Sequence, residues 1–351
     1  MSRPRCLLYG ANGYTGRLIL ERAVALGMKP VVAGRDVLAI PALAEPFGLE
    51  WRVFDLDDPN RLDQGLEGIN VVLSCAGPFA RTFAPLARAC IRSKVHYLDV
   101  TGEVDVFEGL DALSDKAEKA GIMLMPGVGF DVVPTDSLAA HLHRRMPDAV
   151  RLDLGFSGLT ALSHGTALTM VESLHEGGLI RHKGALKPVR VGQLIKTIDF
   201  GCGPQRAMAI RWGDVYTAHH TTGIASIRVY MPIPPGLGMM IRATGYMGWL
   251  LGSSPVQGML KFMVDQRPGG PDVAKRASSQ SYVWGEVRNA AGKRLVSRLV
   301  TPEGYSLTVE AALAIADRVM RGNVAPGFQT PGGHFGPDFV LELEGVSRTD
   351  E

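Results

Sequence analysis

Short apolar segments alternate with longer amphipathic segments over the first 130 residues of the chain. Short apolar runs are typical of buried strands, and the segments between them have the length and spacing of helices. Strands that alternate with helices form βαβ units and a parallel sheet. The pattern therefore predicts an α/β fold with a Rossmann-type, doubly wound parallel sheet. The predicted strands are Arg5–Tyr9, Pro30–Ala33, Glu50–Asp55, Asn70–Cys75, Val95–Val100 and Ile122–Pro126.

The pattern changes after a predicted connecting helix, Pro134–Arg145. Longer β-rich segments follow, and two of them are separated by turn-forming residues in the way that is typical of an antiparallel hairpin. We therefore expect a second domain after the parallel sheet. Its predicted elements are the strands Arg151–Phe156, Ala207–Ile210 and Ile224–Met231, the hairpin Ser279–Arg288 with Arg294–Thr301, and a helix at Tyr305–Arg321.

The charges of the chain nearly balance, with 37 lysines and arginines against 35 aspartates and glutamates. A net charge of +2 provides no basic field of the kind that binds nucleic acid. We therefore expect a small-molecule substrate and no nucleic-acid partner.

No metal site is predicted. The four cysteines lack the CxxC spacing of zinc sites and do not suggest a disulfide framework. His219 and His220 are predicted on a strand, where adjacent side chains point to opposite faces and cannot bind one metal ion. The cysteine usage, and an N-terminal segment without the features of a signal peptide, favour a cytoplasmic location.

The first predicted strand is followed by a glycine-rich turn that opens a helix. Glycines spaced as GxxGxxG allow a tight turn, close approach of the backbone to a pyrophosphate and tight packing of the helix on the strand. Amides at the start of the helix attract the negative charge. This context predicts a dinucleotide-binding turn, with a purely structural glycine turn as the alternative. The predicted contacts are Gly10, Asn12, Gly13, Tyr14, Thr15 and Gly16.

The end of the second predicted strand distinguishes NADP from NAD. An NAD enzyme usually places a carboxylate there against the ribose 2′-hydroxyl, whereas this chain has Arg35 before Asp36. A guanidinium binds a 2′-phosphate through two hydrogen bonds, so NADP(H) is the predicted cofactor. The alternative is that Arg35 is a solvated loop residue and that Asp36 faces the ribose. Asp55, which ends the third strand, is placed either for an adenine contact or to cap the following turn.

Small residues and a rigid turn follow the fourth strand, at the sheet edge where a nicotinamide ribose would lie. We expect this turn to contact the cofactor, and a plain strand-ending turn is the alternative. The residues of the turn are Ala76, Gly77, Pro78 and Phe79.

Polar side chains follow the fifth and sixth strands. Thr101 and Glu103 come after one strand and Asp131 after the other, so all three are expected at the same edge of the sheet. Polar groups from several strand ends make up the active sites of α/β enzymes, and these three are the candidate catalytic residues. Each also stands near the start of a helical segment, so helix capping is the competing interpretation.

A Met- and Leu-rich region, 236–264, contains an uncharged segment of 18 residues, Ala243–Leu260. Glycines and Pro255 interrupt this segment, which disfavours a membrane-spanning helix of ~20 residues. Two interpretations stay open. The region is either a core helix pair or oligomer contact, or else a lid, an acyl tunnel or a surface for peripheral membrane contact.

Several segments together resemble the saccharopine dehydrogenase-like NADP-binding oxidoreductases, nearest the branch of the trans-acting enoyl reductases. The resemblance implies an NADP-binding Rossmann domain at 1–133 and an α+β substrate and dimerisation domain at 134–302. It also implies that 303–351 packs back on the first domain and that the protein is a homodimer. The segments are YGANGYTGRLI (9–19), VVAGRD (31–36), CAGPF (75–79), YLDVTGE (97–103), PGVGFDVVPTD (126–136), TPEGYSLT (301–308), GFQTP (327–331) and FGPDF (335–339).

The same resemblance bears on the candidate catalytic residues. In the fungal saccharopine reductases an aspartate after the last parallel strand lies near nicotinamide and substrate, and Asp131 has the similar position here. Those relatives carry a serine–tyrosine pair where this chain has Thr101 and Gly102. The missing tyrosine argues against the saccharopine reaction.

These observations predict an NADPH-dependent oxidoreductase that reduces an enoyl or acyl substrate of lipid or polyketide type. The arginines of the second domain form no compact motif for clamping an amino dicarboxylate, whereas region 236–264 suits a lipid chain. Two alternatives stay open. One is a saccharopine-type imine or keto reductase for an amino-acid-like substrate, and the other is a non-catalytic NADPH-binding scaffold at a lipid surface.

Overall fold

The computed structural model describes residues 4–158, 163–234, 236, 238, 251–266 and 269–351. The chain divides into two compact units. The first unit consists of Met1–Asp131 with Tyr305–His334, and the second consists of Val132–Gly304 with Phe335–Glu351.

Strands and helices alternate in the first unit, and strands predominate in the second. The strands are β1 (Cys6–Tyr9), β2 (Val31–Gly34), β3 (Trp51–Val53), β4 (Val71–Ser74), β5 (His96–Asp99), β6 (Met123–Met125), β7 (Ala149–Ser157), β8 (Gly178–His182), β9 (Ala185–Val189), β10 (Ile195–Asp199), β11 (Pro204–Ala209), β12 (Ser226–Pro232), β13 (Gln280–Asn289), β14 (Arg294–Pro302), β15 (Gly327–Phe328) and β16 (Ser347–Asp350). The α-helices are α1 (Tyr14–Ala25), α2 (Ala39–Ala44), α3 (Pro59–Gly65), α4 (Phe79–Ser93), α5 (Val104–Asp111), α6 (Ser114–Ala120), α7 (Val133–Arg145), α8 (His164–Ser173), α9 (Asp214–Thr222), α10 (Ser254–Asp265), α11 (Val273–Ser278), α12 (Gly304–Met320) and α13 (Pro331–Phe335).

The first unit is built on a seven-stranded sheet in the order β15-β6-β5-β4-β1-β2-β3. All neighbouring strands in it are parallel. The strand order reverses between β1 and β4, and ligands of open parallel sheets bind at such a reversal, beyond the carboxyl ends of the strands. Leu7, Val32, Val72 and Leu98 are fully buried, as expected where helices cover both faces of a sheet. The predicted fold class is confirmed. β15 was not predicted because a two-residue strand carries no hydrophobic pattern.

The second unit is built on a nine-stranded mixed sheet. Its main path is β10-β11-β12-β7-β13-β14-β16, with β8 paired to β12 and β9 paired to β8. The predicted hairpin is present as β13 and β14, which pair in antiparallel register from Gln280 opposite Pro302 to Arg288 opposite Arg294. Helix α7 covers this sheet, and Leu138 and Leu142 lie so close to Gly285 that a Cβ there would be 2.6 Å from Leu142 Cδ1.

The last residues of the chain belong to the second unit, which corrects the expectation that all of 303–351 packs on the first domain. β16 pairs with β14 in antiparallel register. Asp350 of β16 accepts a hydrogen bond from Ser297 Oγ at 2.6 Å and lies 3.0 Å from the Arg145 guanidinium. β16 therefore pairs with the edge of β14 that β13 leaves open. The mostly polar segment Ser347–Asp350 has no apolar pattern that would have indicated this.

His219 and His220 lie on helix α9 and not on a strand, so that prediction was wrong. The segment is rich in valine, tyrosine and threonine, which favour strands, but glycines bound it on both sides and Gly223 ends the helix at φ +72°. His219 Nδ1 lies 2.9 Å from the carbonyl oxygen of Ile224. In the part of the chain that the structure describes, no group of three or more histidine, cysteine or acidic side chains is arranged to hold a metal ion.

The region 236–264 lies partly outside the described residues, since 237 and 239–250 are not described. The end of the region forms helix α10, which the structure describes. Its side chains Met259, Phe262 and Met263 are at least half exposed. Among the described residues, no helix is both long enough and apolar enough to cross a bilayer.

Candidate active site

The glycine-rich turn between β1 and α1 packs against the turn after β4. Gly10 has φ +78°, a conformation that side chains disfavour, and a Cβ on it would lie 2.8 Å from the amide nitrogen of Ala76. A Cβ on Gly16 would lie 2.8 Å from the Cα of Ala11. Helix α1 begins after Gly13, which is extended and has no side chain to cap the first amides. The sequence motif thus forms a tight turn whose helix start can receive an anion.

Arg35 and Asp36 have different surroundings after β2. Asp36 Oδ1 accepts hydrogen bonds from the amides of Leu38 at 3.0 Å and Ala39 at 2.9 Å. These bonds lower the pKa of Asp36, so its carboxylate is charged and is engaged at the start of α2. Arg35 is exposed, and no hydrogen bond or ion pair joins its guanidinium to the described residues. This geometry favours the NADP interpretation over a ribose contact by Asp36.

Asp55 caps the turn that follows β3. Its Oδ1 accepts a hydrogen bond from the amide of Asp57 at 3.2 Å. The neighbouring Phe54 carbonyl accepts a hydrogen bond from Tyr9 Oη at 3.1 Å. The capping alternative is therefore present in the structure, and the adenine contact of Asp55 stays a prediction.

Glu103 connects the turn after β5 to the start of α4. Its Oε1 accepts a hydrogen bond from the amide of Phe79 at 3.0 Å, and its Oε2 accepts one from the amide of Ala80 at 2.8 Å. Glu103 therefore caps α4, although in sequence it stands at the start of α5. This contact orders the Ala76–Phe79 turn, within which the Ala76 carbonyl accepts a hydrogen bond from Thr82 Oγ1 at 2.6 Å. A catalytic role of Glu103 stays a prediction.

Thr101 is fully buried and forms hydrogen bonds within the turn after β5. Its Oγ1 accepts a hydrogen bond from the amide of Glu103 at 3.1 Å. Its own amide donates to Asp99 Oδ1 at 3.0 Å. Because the hydroxyl is out of solvent and already holds the turn, the described geometry favours a structural role for Thr101 over proton transfer.

Asp131 lies at the end of the loop after β6, and it is partly exposed. Its carboxylate lies against the backbone of Gly102, where a Cβ would be 2.9 Å from Asp131 Oδ2. Burial, together with the negative charge of Glu103, raises the pKa of Asp131 to about 7. Of the three candidate catalytic residues, Asp131 combines some exposure with a pKa at which a carboxyl group both holds and releases a proton near neutrality.

Three further residues of this site were not predicted. Asp99, fully buried at the end of β5, accepts hydrogen bonds from both neighbouring turns. Thr308 Oγ1 of α12 accepts a hydrogen bond from the amide of Phe130 at 2.9 Å, next to Asp131. Tyr305, at the start of α12, packs edge-on against Tyr14, with ring centroids 5.0 Å apart. Two features of the sequence could have indicated them. Asp99 is an acidic residue in an otherwise apolar strand, and Tyr305 and Thr308 belong to the isolated TPEGYSLT segment.

A protein-family model matches the first part of the chain. Residues 6–125 match the model described as the saccharopine dehydrogenase NADP binding domain. This range includes the predicted cofactor-contacting residues from Gly10 to Phe79 and ends within β6.

Curated relatives match part of the chain. A trans-acting enoyl reductase of Mycobacterium leprae is 33% identical over 149 residues, which is 40% of this chain and 35% of that protein. A saccharopine dehydrogenase-like oxidoreductase of Arabidopsis thaliana is 27% identical over 147 residues, which is 37% of this chain and 32% of that protein. The matches thus span about a third of the length of these curated relatives.

The fold of the whole chain has a counterpart among solved structures. Saccharopine dehydrogenase (L-Glu forming) from Saccharomyces cerevisiae, in its apo form, superimposes with a TM-score of 0.68 at 14% sequence identity. The superposition covers 99% of this chain and 100% of the yeast chain, and at this identity it shows a shared fold. The resemblance that the sequence motifs predicted is therefore confirmed, since residues 6–125 match the saccharopine dehydrogenase NADP binding domain.

Proposed function

We propose that this protein is an NADPH-dependent oxidoreductase in which Asp131 supplies the proton. The observation that carries the proposal is the position of Asp131, a partly exposed residue whose carboxyl has a pKa of about 7, at the carboxyl edge of a dinucleotide-binding sheet. A hydride donor and a proton donor at one edge of a sheet are what the reduction of a polarised double bond requires.

The described residues fit NADPH. The turn at Gly10 and Gly13 presents backbone without side chains, and a Cβ at Gly10 or Gly16 would already meet other atoms. Arg35 is exposed at the end of β2, where a 2′-phosphate would lie. When bound, NADPH supplies the hydride. The protein residues have the tasks of holding the pyrophosphate, neutralising the 2′-phosphate and delivering a proton from the Asp131 carboxyl.

For the substrate we propose an enoyl or acyl group of lipid or polyketide type. Three features support this choice over an amino-acid imine. Mycobacterial proteins that are similar to about 40% of this chain are named trans-acting enoyl reductases. Position 102 is a glycine, so the tyrosine of the fungal pair is missing. Helix α10 presents exposed methionine and phenylalanine side chains. A homodimer and a location in the cytoplasm or at a membrane surface belong to the same proposal.

The test is NADPH oxidation by the purified protein with two substrate sets, enoyl thioesters of increasing chain length and imines of amino acids with keto acids. We expect turnover with the thioesters and loss of at least about tenfold in Asp131→Asn. Turnover with the imines only would reassign the substrate. NADPH binding without turnover of either set would favour the scaffold interpretation.

A further inference from the structure

Asp99 makes an unusually complete set of contacts for a carboxylate inside a parallel sheet. The residue is fully buried. Its Oδ1 accepts hydrogen bonds from the amides of Thr101 and Gly127, both at 3.0 Å. Its Oδ2 accepts one from Tyr97 Oη at 2.7 Å, and its backbone carbonyl accepts one from the amide of Val128 at 2.8 Å.

These contacts join two turns that come from neighbouring strands. Thr101 starts the turn after β5, which continues to Gly102. Gly127 and Val128 start the turn after β6, which leads to Asp131. A single carboxyl oxygen therefore connects the turn that carries Gly102 with the turn that carries Asp131. The bare backbone of Gly102 lies directly against Asp131, so a change in the distance between the two turns would change the contact of the Asp131 carboxyl with Gly102.

We propose that Asp99 is a positioning residue for Asp131: by bridging the amides of Thr101 and Gly127 it holds the Asp131 carboxyl against Gly102. The inference rests on the proposed function in taking Asp131 as the proton donor. Asp99 itself is out of solvent and acts through the two turns. An acceptor that binds two amides is replaceable by another with the same geometry, and its charge is not what the positioning needs.

The charges around Asp99 agree with this assignment. The titratable side chains that face it are Tyr97 from its own strand, Cys75 after β4 and Glu103 in the following turn. Burial raises the pKa of Asp99 to about 6, although its hydrogen bonds from Thr101, Tyr97 and Gly127 oppose the change. The Asp99 carboxyl is the acceptor in all three of these hydrogen bonds, as the bridge between the two turns requires.

The test compares Asp99→Asn, Asp99→Ala and Tyr97→Phe in the full chain. In Asp99→Asn the oxygen of the side-chain amide can still accept from both turn amides, while the NH2 group donates to Tyr97 Oη. Alanine removes the bridge, and Tyr97→Phe removes only the bond to Oδ2. The readout is the titration of Asp131 followed by carbonyl NMR of 13C-labelled aspartate, with its signal assigned as the one that disappears in Asp131→Asn.

We expect Asp131 to titrate near the wild-type pH in Asp99→Asn and Tyr97→Phe. In Asp99→Ala it should titrate at least about one pH unit lower, because the released carboxyl gains solvent. NADPH affinity should stay within about twofold in Asp99→Asn and Tyr97→Phe, because both variants keep the bridge between the two turns. If Asp99→Ala does not fold, Asp99→Ser takes its place with the same expected direction.

Two results would overturn the inference. One is wild-type titration of Asp131 in folded Asp99→Ala or Asp99→Ser, which would make Asp99 a purely structural residue. The other is an equal shift in Asp99→Asn and Asp99→Ala, which would assign the effect to charge. The titration needs neither cofactor nor substrate. A failure of the proposed function, seen as unchanged turnover in Asp131→Asn, is therefore distinguishable from a failure of this inference.

Discussion

Gly102 and Asp131, which follow neighbouring strands of the parallel sheet, are in direct contact, and a Cβ on Gly102 would lie 2.9 Å from Asp131 Oδ2. Gly102→Ala should therefore displace the carboxyl from its position. We expect a fall in turnover of about tenfold or more, with NADPH affinity unchanged, because misplacing a proton donor affects the chemical step.

The matched control for this change is Gly165→Ala in helix α8, where an added methyl group meets no atom within 4 Å. Steady-state kinetics and NADPH titration of both variants make the comparison. Equal turnover of Gly102→Ala and the control would show that the position of the Asp131 carboxyl does not matter for the reaction.

Arg35→Ala should weaken NADPH binding by about 10- to 100-fold and leave NADH binding nearly unchanged, because a charge-assisted bond to the 2′-phosphate is lost. Calorimetric titration with both cofactors measures this. Arg321→Ala is the control, since it removes the same charge from an exposed helix end in the same unit. Equal losses for NADPH and NADH in Arg35→Ala would exclude the 2′-phosphate contact.

Asp131 should make the folding stability depend on pH. Its pKa is raised from 3.8 to about 7 in the folded state, so between these values the folded protein binds a proton that the unfolded chain has lost. Stability from this group is therefore highest at low pH and falls as the pH rises toward 7. Asp131→Asn should be more stable than wild type at pH 8, by about 1–3 kcal/mol, with a much smaller difference at pH 4.

Thermal unfolding at several pH values measures the effect. Asp115→Asn, the same chemical change at an exposed position of helix α6, is the matched control. If Asp131→Asn and wild type differ by the same amount at pH 4 and pH 8, the carboxyl is not held in the environment described.

Glu103→Gln should affect both stability and proton transfer. Both carboxyl oxygens of Glu103 accept hydrogen bonds from backbone amides of α4. Glutamine has only one acceptor oxygen, so the free energy of unfolding should fall by about 1–2 kcal/mol. The negative charge of Glu103 raises the pKa of Asp131. Its removal should therefore lower this pKa and shift the alkaline decline of NADPH oxidation to lower pH. Chemical denaturation and a pH–rate profile test the two effects, and a pH profile unchanged from wild type would contradict the second.

The local motifs were predicted from the sequence because neighbouring residues form them. The alternation of buried strands and helices, the glycine turn with its positive φ at Gly10, and the β13–β14 hairpin each depend on residues within one short segment. The choice between Arg35 and Asp36 as the residue that contacts the cofactor ribose is local too, because the Asp36 carboxylate accepts hydrogen bonds from amides two and three residues later. His219 and His220 are the exception, because the residue types of their segment favour a strand, whereas the segment forms helix α9 between two glycines.

The sequence by itself determined the fold class, the NADP-binding domain and three of the polar residues at the edge of the sheet. Only the tertiary structure decided what those residues do. Glu103 caps a helix that starts 24 residues earlier, Asp99 bridges to a turn 28 residues later, and Phe130 donates to Thr308, 178 residues away. Hydrophobic periodicity reports which face of an element is buried, but the partner of a buried polar group depends on which distant segments the folded chain brings together.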